Sequence, residues 1–308
     1  MVRKTLKIVG WILLALLLLL AIQTVRYWDT IQRVFLGGLH THETVPPVLP
    51  AEIKRPAILV FSKTNAFRHE EAIPAANALF DAMAKEKDWG IYKTENGAVF
   101  RPDILARFDA VVFSNTSGDV FNASQQAAFR KFVENGGGWV GIHAAGDNSH
   151  QAWGWYMQDV IGTTFIGHPM NPQFQKATMR IEDRSHPAMA GLPETWNRTD
   201  EWYSFDKSPR REGVTVLATL DEATYKQEGP FGQKLAMGRD HPIIWSRCIG
   251  KGRALYSGLG HTAESYAEPE YRQVLAGAIS WAMRLEGTGC GTSPAQAASA
   301  SGPATAGQ

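Results

Sequence analysis

Between residues 57 and 142 short apolar runs alternate with amphipathic helical stretches, and that alternation constrains the fold more than any other feature of the chain. AILVF at 57–61 is bounded by Pro56 and a polar turn, as expected of a strand buried on both faces. Residues 70–86 then place Ile73, Ala76, Leu79, Phe80 and Met83 at three- and four-residue steps, an amphipathic helix that admits Pro74 only because it lies in the first turn. Residues 89–94 and 108–113 read as the next two strands. Residues 122–135 form a helix closed by Gly136, Gly137 and Gly138, and residues 139–142 form a fourth strand. Parallel neighbours need crossover connections, and here the crossovers are helical, so an α/β fold with a doubly wound, mostly parallel sheet is predicted. The second half is richer in strands, at 174–181, 214–219, 242–247 and 253–257, the last two joined by a glycine-bearing hairpin turn at 248–252. A helix over 268–285 closes the domain.

Outside this unit the chain changes character. Arg3, Lys4 and Lys7 precede fifteen uncharged residues, 8–22, and Tyr27 with Trp28 extends the span into an interfacial aromatic pair. No small-residue cleavage site follows, because Gln23 stands where one is needed; residues 1–28 are therefore expected to be a membrane anchor, the alternative being a signal segment with a poor site. The basic flank keeps the N-terminus in the cytoplasm and sends the domain to the extracytoplasmic, periplasmic side of an inner or plasma membrane. Residues 29–54 lack a sustained period and read as a linker holding the domain off the bilayer, with His40 and His42 solvated. Residues 55–286 are the folded unit. From 287 to 308 the chain is uncharged and built almost wholly of small and polar residues, as expected of a disordered tail.

Thirty-one Lys and Arg against 30 Asp and Glu leave no field that would gather phosphate backbones, so nucleic acid is not an expected partner. Cys248, in an apolar run, and Cys290, in the polar tail, do not supply a disulfide framework, a Cys-rich zinc site or a thioredoxin-type pair. The glycines at 136–138 precede their strand, and no dinucleotide or phosphate-loop sequence occurs, so no nucleotide is expected. Chemistry must come from histidines, carboxylates and aromatics. In a doubly wound sheet ligands collect outside the carboxyl ends of the strands, which here deliver residues 63–69, 114–118 and 143–147.

Seven sequence blocks follow in order: KTNAFRHE at 63–70, GGGWVGIHAA at 136–145, GHP at 167–169 with Gln173, RIEDRSHP at 180–187, DEWY at 200–203, DHPI at 240–243 and LGHT at 259–262. With these landmarks the chain resembles the trehalose-utilisation (ThuA-like) proteins of the class I glutamine-amidotransferase-like superfamily, over residues 56–285. The resemblance implies a flavodoxin-like three-layer fold and a part in handling disaccharides such as trehalose, in pathways that pass through 3-keto sugars. Glutamine amidotransferases carry a nucleophilic cysteine on a tight strand-to-helix turn. This chain has His143 there, and imidazole does not sustain a durable acyl-enzyme, so glutaminase activity is excluded on this reading.

His69, His143, His168, His241 and His261 all fall in loops or at strand ends within these blocks. His186 and His241, each directly before proline, are expected to be structural. His69, His143 and His261, with Glu201 and Asp147, form the expected catalytic set, and His143 is the expected base for proton transfer at a sugar carbon or hydroxyl. A second reading joins the three imidazoles to Glu70, Asp147 or Glu201 around zinc or another divalent metal, which would make the protein a metal-dependent hydrolase. Asn115, His168, Asp200, Trp202, Tyr203 and Tyr266 are the expected sugar-binding residues, the aromatics stacking on the apolar face of a pyranose. A third reading is a carbohydrate-binding accessory module without turnover.

Overall fold

The structure, a computed structural model, describes residues 2–290. It opens with α1 (Val2–Arg26) and α2 (Trp28–Phe35). The first α/β half follows as β1 (Ala57–Phe61), α3 (Ala72–Lys87), β2 (Gly90–Thr94), α4 (Pro102–Leu105), β3 (Ala110–Ser114), α5 (Ala123–Glu134) and β4 (Gly138–Ile142). Beyond it lie β5 (Phe165–Gly167), β6 (Phe174–Ile181), β7 (Thr195–Glu201), β8 (Ser204–Phe205), β9 (Val214–Asp221), β10 (Pro242–Ile249), β11 (Gly252–Ser257) and α6 (Pro269–Ala282).

Nine strands form one sheet in the order β2-β1-β3-β4-β11-β10-β9-β6-β7. The first five of that order are parallel, and the remainder joins by antiparallel pairings. The parallel half is the expected doubly wound arrangement. β1 is central to it: all five of its residues are buried, and it pairs with β2 on one side and β3 on the other. Because α3 carries the chain from β1 to β2 and α5 carries it from β3 to β4, in opposite directions along the sheet, right-handed crossovers put the two helices on opposite faces. α5 begins as its sequence demands, with a capping box in which Asn122 accepts from the Gln125 N–H while the Gln125 side chain accepts from the Asn122 N–H. Phe61, Phe100, Phe113, Phe121 and Phe129 pack ring on ring in the core beneath.

Two expectations about the flanks change. Residues 36–54 are not a free spacer but are laid along the domain. The Arg33 guanidinium donates to the Thr64 carbonyl, the Leu39 N–H donates to the Asn65 carbonyl at 2.6 Å, and the buried Lys63 ammonium meets the Glu43 carboxylate at 2.7 Å. Glu43 also accepts from the Gly97 N–H at 2.8 Å, and its carbonyl accepts from the Gln125 side chain at 2.7 Å. His40 is exposed as expected, whereas His42 is tucked against Asp119. These polar contacts to backbone leave no trace in composition. α1 has no buried residue in its apolar span and is long and apolar enough to cross a membrane. Arg33, which grips Thr64, lies on α2 itself, and Leu39, which grips Asn65, follows shortly after that helix.

The two cysteines, too few for a disulfide framework, nevertheless form a single bridge, which the sequence reading did not anticipate. Cys248 on β10 and Cys290 are joined in a disulfide. Residues 287–290 are fixed besides by the buried Arg253, whose guanidinium donates to the carbonyls of Gly287 and Gly289 at 3.2 and 3.1 Å. The ordered domain thus runs past 286, and the remainder of the expected tail, 291–308, lies outside the described residues.

Candidate active site

Four side chains from four segments meet at the carboxyl edge of the parallel strands. His69 comes from the loop after β1, His143 from the end of β4, His261 from the loop after β11, and Glu201 ends β7. One ligand-capable atom from each lies within 4.8 Å of all the others. The imidazole rings of His69, His143 and His261 sit 4.5–5.0 Å apart, edge to face.

Local structure fixes each group. His143 adopts a φ of +50°, so the turn after β4 is a true elbow, although His143 is fully buried rather than exposed. Its Nδ1 lies 2.9 Å from the Gly258 carbonyl, which can only accept, so that nitrogen carries the proton and Nε2 faces the cluster. Nε2 is 3.0 Å from His261 Nδ1 and 3.3 Å from Glu201 Oε2. Glu201 Oε2 also reaches His261 Nδ1 at 3.0 Å. Its other oxygen accepts from the Gln173 amide at 2.5 Å and lies 3.1 Å from His168 Nδ1. His69 Nδ1 is buried without a hydrogen-bond partner.

Asp200, expected on the sugar, instead builds the scaffold. It is fully buried, accepts from the backbone N–H groups of Gly260 at 2.9 Å, His261 at 3.2 Å and Glu201 at 2.9 Å, and pairs with Arg198 at 3.0 Å. Gly260 must be glycine here. Its φ is +109°, and a Cβ would come within 2.7 Å of the Tyr266 hydroxyl and 2.9 Å of the Tyr271 hydroxyl. Asp200 and Gly260 together fix the turn that presents His261.

Burial and neighbours set the charges. Burial works against charge on His143, but the Glu201 carboxylate outweighs it and raises the His143 pKa. Burial likewise disfavours the Glu201 anion, yet its hydrogen bonds with His143 and His261 hold it far below the usual carboxylate range. His69 is driven well below the ordinary histidine value by burial first and then by the two neighbouring imidazoles. A pinned tautomer, an unpartnered imidazole nitrogen, a fixed carboxylate and hydrogen-bonded outer partners suit the ligands of a divalent metal.

A cleft of about 620 Å³ opens onto the cluster through His69 and His261 and is lined further by Phe67, Phe174, Thr199 and Glu268. Another cleft, of about 350 Å³, lies at the opposite edge of the sheet around Arg55 and Asp109 and contains no histidine.

Several expected binding residues take other roles. Trp202 is fully buried and donates its indole N–H to the Gln175 carbonyl at 2.7 Å. Tyr203 is buried with its ring 4.2 Å from that of His143. Tyr266 is buried with its hydroxyl on the Gly260 carbonyl at 2.9 Å, and Asn115 donates to that hydroxyl at 2.8 Å. All four are buried; Tyr203 packs on His143, and Tyr266 with Asn115 supports the turn that presents His261. Asp147 stays outside the four-residue cluster and caps a short turn, accepting from the Ser149 N–H at 2.8 Å. Glu70 is exposed and paired with Arg68. His186 and His241 are structural as expected: His186 accepts from the Ala188 N–H at 3.1 Å, and His241 lies between the Tyr203 carbonyl and Glu222, 2.8 Å from each. Sequence reasoning missed Phe67 and Phe174, although both stand beside residues it had singled out.

Comparison with known proteins agrees with this architecture. A crystal structure of a ThuA-like protein from Bacteroides uniformis ATCC 8492 superposes with a TM-score of 0.64 at 25% identity, covering 77% of this chain and 95% of that one. A ThuA-like protein from Parabacteroides merdae ATCC 43184 superposes with a TM-score of 0.57 at 19% identity, covering 77% and 92%. No curated protein matches the sequence. The family model described as ThuA, trehalose utilisation, matches residues 57–282, which span the sheet and every member of the His and Glu cluster, and the chain belongs to that family.

Proposed function

We propose that this protein is a membrane-tethered, extracytoplasmic enzyme that acts on a disaccharide or its 3-keto derivative at a divalent metal centre held by His69, His143, His261 and Glu201. The observation that carries this reading is the convergence of four donor atoms within 4.8 Å, on residues that include His69, whose Nδ1 is buried without a partner. Three imidazoles and a carboxylate suit zinc and its first-row neighbours. On an ion that accepts more than four ligands they leave room for substrate oxygens arriving through the cleft. Such a metal would act as a Lewis acid on a sugar carbonyl or hydroxyl.

The chain's own residues do the rest. His143 does not touch solvent, so its expected role as the base on substrate gives way to that of an inner ligand whose tautomer Gly258 fixes. Glu268, on the cleft wall, has its pKa raised by burial, with Arg198 opposing, and is the carboxyl suited to exchange a proton with a carbon acidified by a neighbouring keto group. Asp200 holds the His261 turn and supports the cluster from behind.

Two features support the location. α1 is long and apolar enough to span a bilayer, and Arg3, Lys4 and Lys7 at its start favour a cytoplasmic N-terminus. The Cys248–Cys290 disulfide belongs to an oxidising compartment.

The test is product analysis of the detergent-solubilised full chain incubated with trehalose, maltose and their 3-keto forms, with and without chelator. The reading predicts consumption that chelation abolishes and that Glu268→Gln suppresses without loss of metal. Binding without consumption would instead make the chain an accessory module.

A further inference from the structure

The residues expected to stack on sugar are buried, yet the cleft above the cluster is not without aromatic faces. Phe67 is 50% exposed and Phe174 is 41% exposed, and both line the cleft. The Phe67 ring lies 4.9 Å from that of His69, and the Phe174 ring 5.1 Å from that of His261. Each phenyl therefore stands next to a different histidine of the centre. Their placement is built in. Phe174 sits directly opposite Glu201 in the β6–β7 ladder, and opposed residues share a face of the sheet, so Phe174 is committed to the face that carries Glu201. Phe67 is held by its carbonyl, which accepts from the buried Ser117 hydroxyl at 2.7 Å.

An exposed phenylalanine is unremarkable alone. Two of them beside a polar cluster, in a cleft that also holds Thr199, Thr262 and Glu268, match the surface of a pyranose: apolar C–H faces on the flat sides and hydroxyls around the rim. We propose that Phe67 and Phe174 are the walls of a subsite that grips a pyranose ring by its apolar faces. This deepens the reading of the cleft as a sugar site and does not require turnover or metal.

The experiment is calorimetric titration of the detergent-solubilised full chain with trehalose, maltose, cellobiose and glucose, on wild type, Phe67→Ala, Phe174→Ala and the two Phe→Tyr variants. Wild type is expected to bind at least one of these sugars. Each alanine variant should weaken that binding about tenfold, the loss of one stacked contact, while the tyrosine variants stay within about threefold of wild type. Melting temperature and metal content should match wild type in all four variants, which separates lost stacking from lost fold. Alanine variants that bind disaccharides as wild type does, or a wild type that binds none of these sugars, would overturn the subsite. Disaccharide binding that needs both phenylalanines but leads to no consumption would uphold the subsite and overturn the enzymatic reading.

Discussion

His143 Nε2 and His261 Nδ1 face each other at 3.0 Å although 118 residues separate them in sequence, and one oxygen of Glu201 lies within 3.3 Å of both. Two imidazole nitrogens and a carboxylate oxygen held this close need a hydrogen or a cation among them. A divalent ion would satisfy all three groups and His69 beside them.

The Asp200 carboxylate ties this arrangement to the chain. Asp200→Asn keeps the shape but replaces an ionised acceptor of three backbone N–H groups by an amide. Metal affinity is expected to fall about 10- to 100-fold, the usual effect of a lost outer-sphere partner. Competition with a chromogenic chelator measures it. An affinity equal to wild type would mean that the His261 turn holds itself.

The segment after α2 should be integral to the domain. Glu43→Gln leaves the buried Lys63 ammonium without its carboxylate, though still on the Thr41 carbonyl, and is expected to cost about 1–2 kcal/mol in urea unfolding. Pairing it with Lys63→Met should recover most of the loss, because the charge left unpaired is removed. A single variant as stable as wild type would show that residues 36–54 are a spacer after all.

His186 gives stability a pH dependence. Burial lowers its pKa to about 4 in the fold against an ordinary value of 6.5, so the unfolded chain binds the extra proton between those limits. Its contribution is complete above pH 6.5 and is lost as pH falls towards 4, by up to about 3 kcal/mol. His186→Asn, which can still accept from the Ala188 N–H, should flatten that part of the stability profile. An unchanged slope would assign it to other groups.

The disulfide is expected to be present in protein isolated from membranes. Peptide mapping without reductant should recover Cys248 linked to Cys290, and Cys248→Ser with Cys290→Ser should lower unfolding stability by about 2–4 kcal/mol. Free thiols in the isolated protein would contradict the extracytoplasmic assignment.

Much of the sheet could be read in advance because the parallel strands bury both faces: Ala57–Phe61 and Ala110–Ser114 are runs without exposed residues, and the pattern shows in the sequence itself. β7 could not. Its inward side chains include Arg198 and Asp200, which are acceptable in a core only because they pair with each other, so Thr195–Glu201 shows no simple apolar alternation. Block order flagged His69, His143, His261 and Glu201, but only the fold shows that one carboxylate serves two of the histidines. The aromatics were assigned by type, which favoured Trp202 and Tyr203; burial then withdrew them and left Phe67 and Phe174, whose exposure no periodicity announces. The cysteine pair, 42 residues apart, was hidden for the same reason.

The most direct test is the metal content of the purified full chain, by plasma mass spectrometry, in wild type and in His69→Ala, His143→Ala, His261→Ala and Glu201→Gln. The account predicts near-stoichiometric divalent transition metal in wild type and its loss in each variant, with chelated wild type regaining metal on addition of the ion. Wild type that carries no metal and takes up none, or variants that keep it in full, would contradict it.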